Sequence, residues 1–287
     1  MKLNKDMSIL IVGLGLLGGS YAQSLTRQGF TVNAITRSRR TVEVALDRGW
    51  IKTGATEPDP TLLGEADLVV FALYPSVFLK WLEENQQLLK PGAILTDVTG
   101  IKGNIVSRIQ GMLRADVEFI AAHPMAGRER SGIEYSDEAI FRGANYVVTP
   151  SETNTPEAIE LCEDLGRTLG FARISRLSPT EHDEIIGYVS QLTHCIAVSL
   201  MTAKSYDNLE EYTGDSFRDL TRIARLNDEM WSELFLMNRE ALLRQIDLFE
   251  GEMAKIRHYI ETENRDALRE IMRHSTARRA LFDKKRK

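Results

Sequence analysis

Three sets of residues in this chain have the types and spacing to do chemistry. The first is Gly13-x-Gly15-x-x-Gly18. An apolar run over 9–12 leads straight into it, and the residues after Gly18 read as helix. In that order Gly13 permits a tight turn, Gly15 lets backbone approach a pyrophosphate, and Gly18 lets the helix pack closely on the strand. The helix start then offers free N–H groups to the anion. The second is His123, directly after the strand-like FIAA. An imidazole titrates near neutral pH, and its neutral form can take a proton from a hydroxyl. Pro124 restricts the backbone beside it. Taken alone, a His-Pro at a strand end is more often structural. The third is Arg222, whose fork suits a carboxylate. Asp219 lies three residues before it on the same helical face, and Leu220 and Ile223 flank the pair, which predicts a partly buried site. The alternative is a surface ion pair, which is worth little. His258 and His274 sit in charged segments and read as surface. No His, Cys and carboxylate cluster suggests a metal.

The end of the second strand bears on the cofactor. NAD-binding units place an acid about 20 residues beyond the glycines, where it bonds the ribose hydroxyls. Here the chain reads Ala34-Ile35-Thr36-Arg37-Ser38-Arg39-Arg40, with Thr36 in that place. Thr36 or Ser38 can bond a 2′-phosphate, and Arg37 and Arg40 can supply charge. This favours NADP, with NAD left open; the alternative is an ordinary solvated helix start. Leu16 and Leu17 at the helix start, Leu73 at the end of a later strand and Tyr74 just past it complete the expected cofactor contacts.

The elements that must position these residues follow from periodicity. Strand-like runs cover 9–12, 31–35, 68–73, 93–97, 118–122 and 145–149, and helical segments over 16–28, 40–48, 76–89 and 103–113 separate most of them. Such alternation predicts a mostly parallel, doubly wound sheet of Rossmann type, with ligands at the carboxyl ends of its strands. A helix over 157–169 and a short strand-like FARIS come next. Ser178 as cap and Pro179 at the first helical position then open a wholly helical stretch. Its long segments cover 184–204, 215–225, 228–261 and 265–282. The expected division is a dinucleotide-binding domain over 1–177 and an all-α domain over 178–287. Leu192, Ile196, Val198, Leu200 and Met201 fall on more than one helical face. A helix apolar all round is usually buried, so the second domain is expected to pair two subunits.

Composition excludes several classes. The 287 residues carry a net charge of -5, so no broad attraction for nucleic acid or an anionic membrane is expected. No run reads as long enough to span a bilayer. Lys2 and Lys5 precede an apolar stretch, but glycines interrupt it, so a strand is preferred to a secretory signal. Cys162 and Cys195 form no framework, which fits a reducing cytoplasm. The basic run over 284–287 reads as a solvated end.

Four segments in order, GLGLLGGS, AAHPMAGRERSGIEYS, HDEIIGYVSQLTHCIA and FRDLTRIA…DEMW, resemble the prephenate/arogenate dehydrogenase family of tyrosine biosynthesis. The resemblance runs over nearly the whole chain. It implies oxidative decarboxylation of prephenate to 4-hydroxyphenylpyruvate with hydride passing to NAD(P); arogenate giving tyrosine is the alternative. It implies that His123 polarises or deprotonates the ring hydroxyl and that Arg222 binds a substrate carboxylate. His194 matches a second family histidine at the side-chain end of the substrate, with Gln191 one turn earlier sharing the pocket and Trp231 as its wall or as core. The sequence departs from the family at Gly100, where a serine beside the catalytic histidine is expected; Thr99 is the candidate replacement. Arg128 adds a cation that either favours the pyruvyl side chain or pairs with Glu129. His182 is expected to cap a helix or pack between domains.

Two rival readings remain. A 3-hydroxyacid dehydrogenase of the 6-phosphogluconate type would need a catalytic lysine, and before Lys255 the helical half has only Lys204. A non-catalytic NAD(P)-sensing protein would keep the glycine turn and lose the chemistry, a reading that Gly100 feeds.

Overall fold

The computed structural model describes residues 2–128 and 130–282. Glu129 and the basic run over 284–287 lie outside them. The chain forms two compact units, Met1–Arg239 and Glu240–Lys287.

The first unit is built on a six-stranded parallel sheet. Its strands are β1 (Ser8–Val12), β2 (Thr31–Ile35), β3 (Thr53–Ala55), β4 (Leu68–Phe71), β5 (Ile94–Asp97) and β6 (Glu118–Phe119), in the order β3-β2-β1-β4-β5-β6. The helices between them are α1 (Leu16–Arg27), α2 (Arg39–Asp47), α3 (Pro60–Glu65), α4 (Pro75–Asn85) and α5 (Gly103–Met112). Successive strand side chains feed opposite faces. Ile9 and Ile11 join the core that includes Tyr21 and Leu25 of α1, while Leu10 and Val12 join the core that includes Phe78 and Leu82 of α4. Buried on both faces, these strands read as continuous apolar runs. The short β3 and α3 carry too few apolar residues to show in the sequence.

The expected strand over 118–122 divides. After β6 the chain enters β7 (Ala121–Met125), which pairs antiparallel with β8 (Asn145–Thr149). After α6 (Pro156–Thr168), β9 (Arg173–Arg176) adds in parallel, giving a separate sheet β7-β8-β9. His123 therefore lies within a strand, opposite Val147, and not beyond a strand end. Pro124 is tolerated because β7 is an edge.

A capping box of Ser178 and Glu181 opens α7 (Pro179–Ile186), as the sequence predicts. A wide π-helical segment, Gly187–Leu192, joins it to α8 (Thr193–Thr202). Together these make one rod, Pro179–Thr202, long and apolar enough by length and composition to cross a membrane. This corrects the expectation that no such run exists. The same rod buries His182, Asp183 and Gln191 in polar contacts within the protein. The unit closes with α9 (Asp215–Thr221), a one-turn helix Arg222–Ala224, and α10 (Asp228–Met237).

The second unit consists of α11 (Arg239–Glu261) from Glu240 onward and α12 (Arg265–Arg279). The expected single helix over 228–261 is interrupted at Asn238. His258 and His274 are exposed, as expected.

Candidate active site

The glycine turn has the form its spacing predicts. Gly13 sits at φ +97°, and a Cβ there would lie 2.5 Å from the Ala72 carbonyl oxygen. A Cβ on Gly18 would lie 1.9 Å from the Gly13 oxygen, so the helix approaches the turn as closely as backbone allows. Gly15, by contrast, faces open space. No side chain caps α1 and no acid stands in its first turn. Uncapped N–H groups beside an open glycine fit a pyrophosphate. Leu16 and Leu17 begin α1, half-buried. Leu73 packs against Gly13. Tyr74 stands just before α4 without capping it through its side chain, and its hydroxyl accepts from Asn227 Nδ2 at 3.2 Å.

At the end of β2, Arg37 is exposed and has no ion partner among the described residues. Arg40 lies 3.4 Å from Glu134, and Arg39 is 3.1 Å from Glu43. Ser38 caps α2, its hydroxyl accepting from the Thr41 N–H at 3.3 Å. Thr36 is half-buried.

His123 is held through one ring nitrogen. Its Nδ1 lies 2.8 Å from Nε2 of His182, and His182 Nδ1 lies 2.7 Å from Asp183 Oδ1. The Asp183 carboxylate also accepts from the backbone N–H groups of Lys102 and Gly103, both at 2.7 Å. Burial pushes the His123 pKa well below the ordinary histidine value, and the neighbouring His182 and the Lys102 ammonium push the same way. Burial also lowers the His182 pKa, against the opposing pull of Asp183. His123 Nε2 remains, and it has no hydrogen-bond partner among the described residues. A Cβ on Gly100 would lie 3.8 Å from it.

Beneath this histidine pair lies a fully buried ion pair, Lys102 Nζ to Asp97 Oδ2 at 2.6 Å. Asp97 Oδ1 accepts from the Ala122 N–H at 3.1 Å, which ties the end of β5 to β7. The Thr99 hydroxyl is absorbed here. It bonds Asp97 Oδ2, lies 3.0 Å from the Ile101 carbonyl oxygen, and accepts from Lys102 Nζ at 3.1 Å. The expectation that Thr99 stands in beside His123 is corrected: its hydroxyl is turned into the core.

In the helical half the rings of His194 and Trp231 lie with centroids 3.7 Å apart and planes tilted by 30°. His194 Nδ1 lies 2.8 Å from the Ser190 carbonyl oxygen, so that nitrogen donates. The one-turn helix that begins at Arg222 packs on α8, which carries His194. Arg222, Asp219 and Leu220 are exposed, which corrects the expectation of a partly buried site there. Gln191 is buried and spent. It donates to the Leu234 carbonyl oxygen at 3.1 Å and accepts from Asn238 Nδ2 at 2.7 Å, so it braces α10, which corrects the expectation that it shares a pocket with His194. Arg128 pairs with Asp137 at 2.8 Å, which removes it as an unshared cation.

The comparisons with known proteins agree with this constellation. The family model for the prephenate dehydrogenase nucleotide-binding domain matches residues 21–174, and that for the dimerization domain matches residues 178–274. The chain belongs to the prephenate dehydrogenase family. It is 31% identical to the prephenate dehydrogenase of Bacillus subtilis, an alignment that covers 91% of this chain and 72% of that one. A crystal structure of prephenate dehydrogenase from A. aeolicus, in complex with hydroxyphenyl propionate and NAD+, superposes with a TM-score of 0.88 at 28% identity, covering 96% and 98% of the two chains. Synechocystis arogenate dehydrogenase gives a TM-score of 0.84 at 27% identity, covering 96% and 100%.

The sequence singles out His123, His194 and the glycine turn, but not the contacts of three further residues. The sequence offers His182 as a helix cap or an interdomain packing residue, and gives Asp183 and Asn238 no role. His182 meets His123 across 59 positions of sequence, so no local pattern reveals the contact. The one available signal was His-Asp at a helix start, two adjacent polar residues in a turn that the structure buries.

Proposed function

We propose that this chain is an NAD(P)-dependent prephenate dehydrogenase that oxidatively decarboxylates prephenate to 4-hydroxyphenylpyruvate. The observation that carries this reading is the placement of His123, gripped at Nδ1 and left with Nε2 beside the Gly100 loop at the carboxyl end of the parallel sheet. A bound nicotinamide supplies the hydride acceptor. His123 Nε2 takes the ring hydroxyl proton as the carbon bearing it loses hydride. The electron pair of the breaking ring–carboxylate bond then completes the aromatic ring, carbon dioxide leaves, and the proton returns to the phenolic oxygen. Arg222 and His194 hold the carboxylate and side-chain end of the substrate. The half-buried site keeps His123 neutral and ready to accept.

NADP is the favoured cofactor, because Arg37 is exposed and uncommitted where an acid would select NAD. Arg40 and Ser38 are weaker contributors, being engaged by Glu134 and by the α2 cap. The domain division at 177/178, homodimers formed through the helical domain and a cytoplasmic setting belong to the same reading.

Arogenate is the second substrate reading. Asp137 neutralises Arg128, which removes one reason to prefer a pyruvyl over an amino side chain. Steady-state kinetics with prephenate or arogenate, each with NAD or NADP, test these assignments. The expected result is fastest turnover with prephenate and NADP. Cofactor binding without turnover of either substrate would instead support a sensor.

A further inference from the structure

We propose that Asp183 and His182 are positioning residues that hold the proton of His123 on Nδ1, and that Gly100 leaves this duty to them. The inference rests on His123 being the base of the proposed reaction. Both Asp183 oxygens accept backbone N–H groups, from Lys102 and from Gly103. A carboxylate so used has only acceptor capacity to offer, so His182 must bring a proton on Nδ1. A neutral His182 then has a bare Nε2. At 2.8 Å from that atom, His123 Nδ1 must be the donor, and His123 Nε2 carries the lone pair.

The opposite arrangement needs a charged His182 that donates to His123, which puts the His123 proton on Nε2 and disables it as a base. Burial of His182 and the nearby Lys102 ammonium oppose that charge; Asp183 and Asp97 favour it, but Asp97 is already paired with Lys102. His182 is fully buried, so a charge on it would go unsolvated, and the neutral arrangement wins. On the other side of the ring, Gly100 offers no hydroxyl. Its Cβ position lies 3.8 Å from Nε2 with no closer neighbour, so a serine fits there without displacing backbone, and its oxygen, one bond further on, reaches Nε2. The contacts close on themselves. The loop that carries Gly100 also supplies the two N–H groups that seat Asp183.

Ring-nitrogen NMR of protein carrying 15N-labelled histidine tests this without any substrate, with the signals assigned by single substitutions. Near neutral pH, His123 and His182 are both expected with Nδ1 protonated and Nε2 bare. A His123 proton on Nε2, or a charged His182, overturns the proposal. Because no turnover is needed, this result stands apart from failure of the substrate assignment. In kinetics, His182→Leu is expected to lower kcat on the order of a hundredfold with KM nearly unchanged. Gly100→Ser added to it is expected to restore about tenfold, since a hydroxyl donating to Nε2 favours the same tautomer. His182→Gln, which keeps a polar group there, guards against a folding defect and should lose less than His182→Leu. A His182→Leu enzyme with wild-type kcat, or a loss that Gly100→Ser leaves untouched, overturns the proposal.

Discussion

At the scale of single residues, His123 should govern the pH dependence. A base acts only when neutral, and this imidazole is depressed by burial, by His182 and by Lys102. The acidic limb of kcat/KM should therefore fall below the ordinary histidine pKa of about 6.5, with no loss of base at neutral pH. Replacing His123 by Gln should lower kcat by about 10²–10⁴-fold while cofactor affinity, read by fluorescence titration, stays within about twofold. Lys102→Met would leave Asp97 buried without its partner and should cost about 3–5 kcal/mol in urea denaturation. The cofactor assignment has its own test: Arg37→Ala should raise KM for NADP by tenfold or more and leave NAD within about twofold. Equal losses for both would remove the 2′-phosphate role. The residue types were readable because chemistry constrains them. Their partners were not, since His182, Thr99 and Arg128 are defined by contacts that only folding makes.

At the scale of elements, the parts visible in the sequence were those whose signal is local. The strand, glycine turn and α1 fall within a few consecutive residues, and the Ser178 cap needs only Glu181. The extension of β7 through His123 and Pro124 was hidden, because proline usually ends a strand and only an edge position admits it. The π segment was hidden too, since it changes hydrogen bonding without changing composition. The glycine turn gives the sharpest element-scale prediction. Gly13→Ala forces a Cβ to within 2.5 Å of a backbone oxygen at a positive φ. It should destabilise the protein by about 1–3 kcal/mol and weaken cofactor binding, both measurable by thermal shift with and without NADP.

At the scale of the whole molecule, the family match includes a dimerization domain, and each of the two units exposes large apolar side chains. Leu243, Leu248, Met253, Ile260 and Met272 are exposed on α11 and α12, while Leu200 and Met201 are exposed on α8. Exposed apolar side chains of this kind are the ones a subunit contact would cover. Light scattering should report a dimer, and a Leu248→Asp, Ile260→Asp double variant should shift it toward monomer and lower turnover. The expectation of pairing came from helices apolar on several faces, and that pattern could not say where Asn238 would divide them. The wide turn at Gly187–Leu192 has a bearing on both functions of the rod that contains it. Each residue advances an α-helix by about 100°, so losing one residue from the bulge would rotate all of α8 by roughly that angle. His194 would swing away from Trp231, and in the same movement Leu200 and Met201 would turn from the direction they now face. The rotational phase of one helix thus sets the direction of His194 and of the exposed apolar residues together, and on the proposed function a single deletion there should silence catalysis and assembly at once.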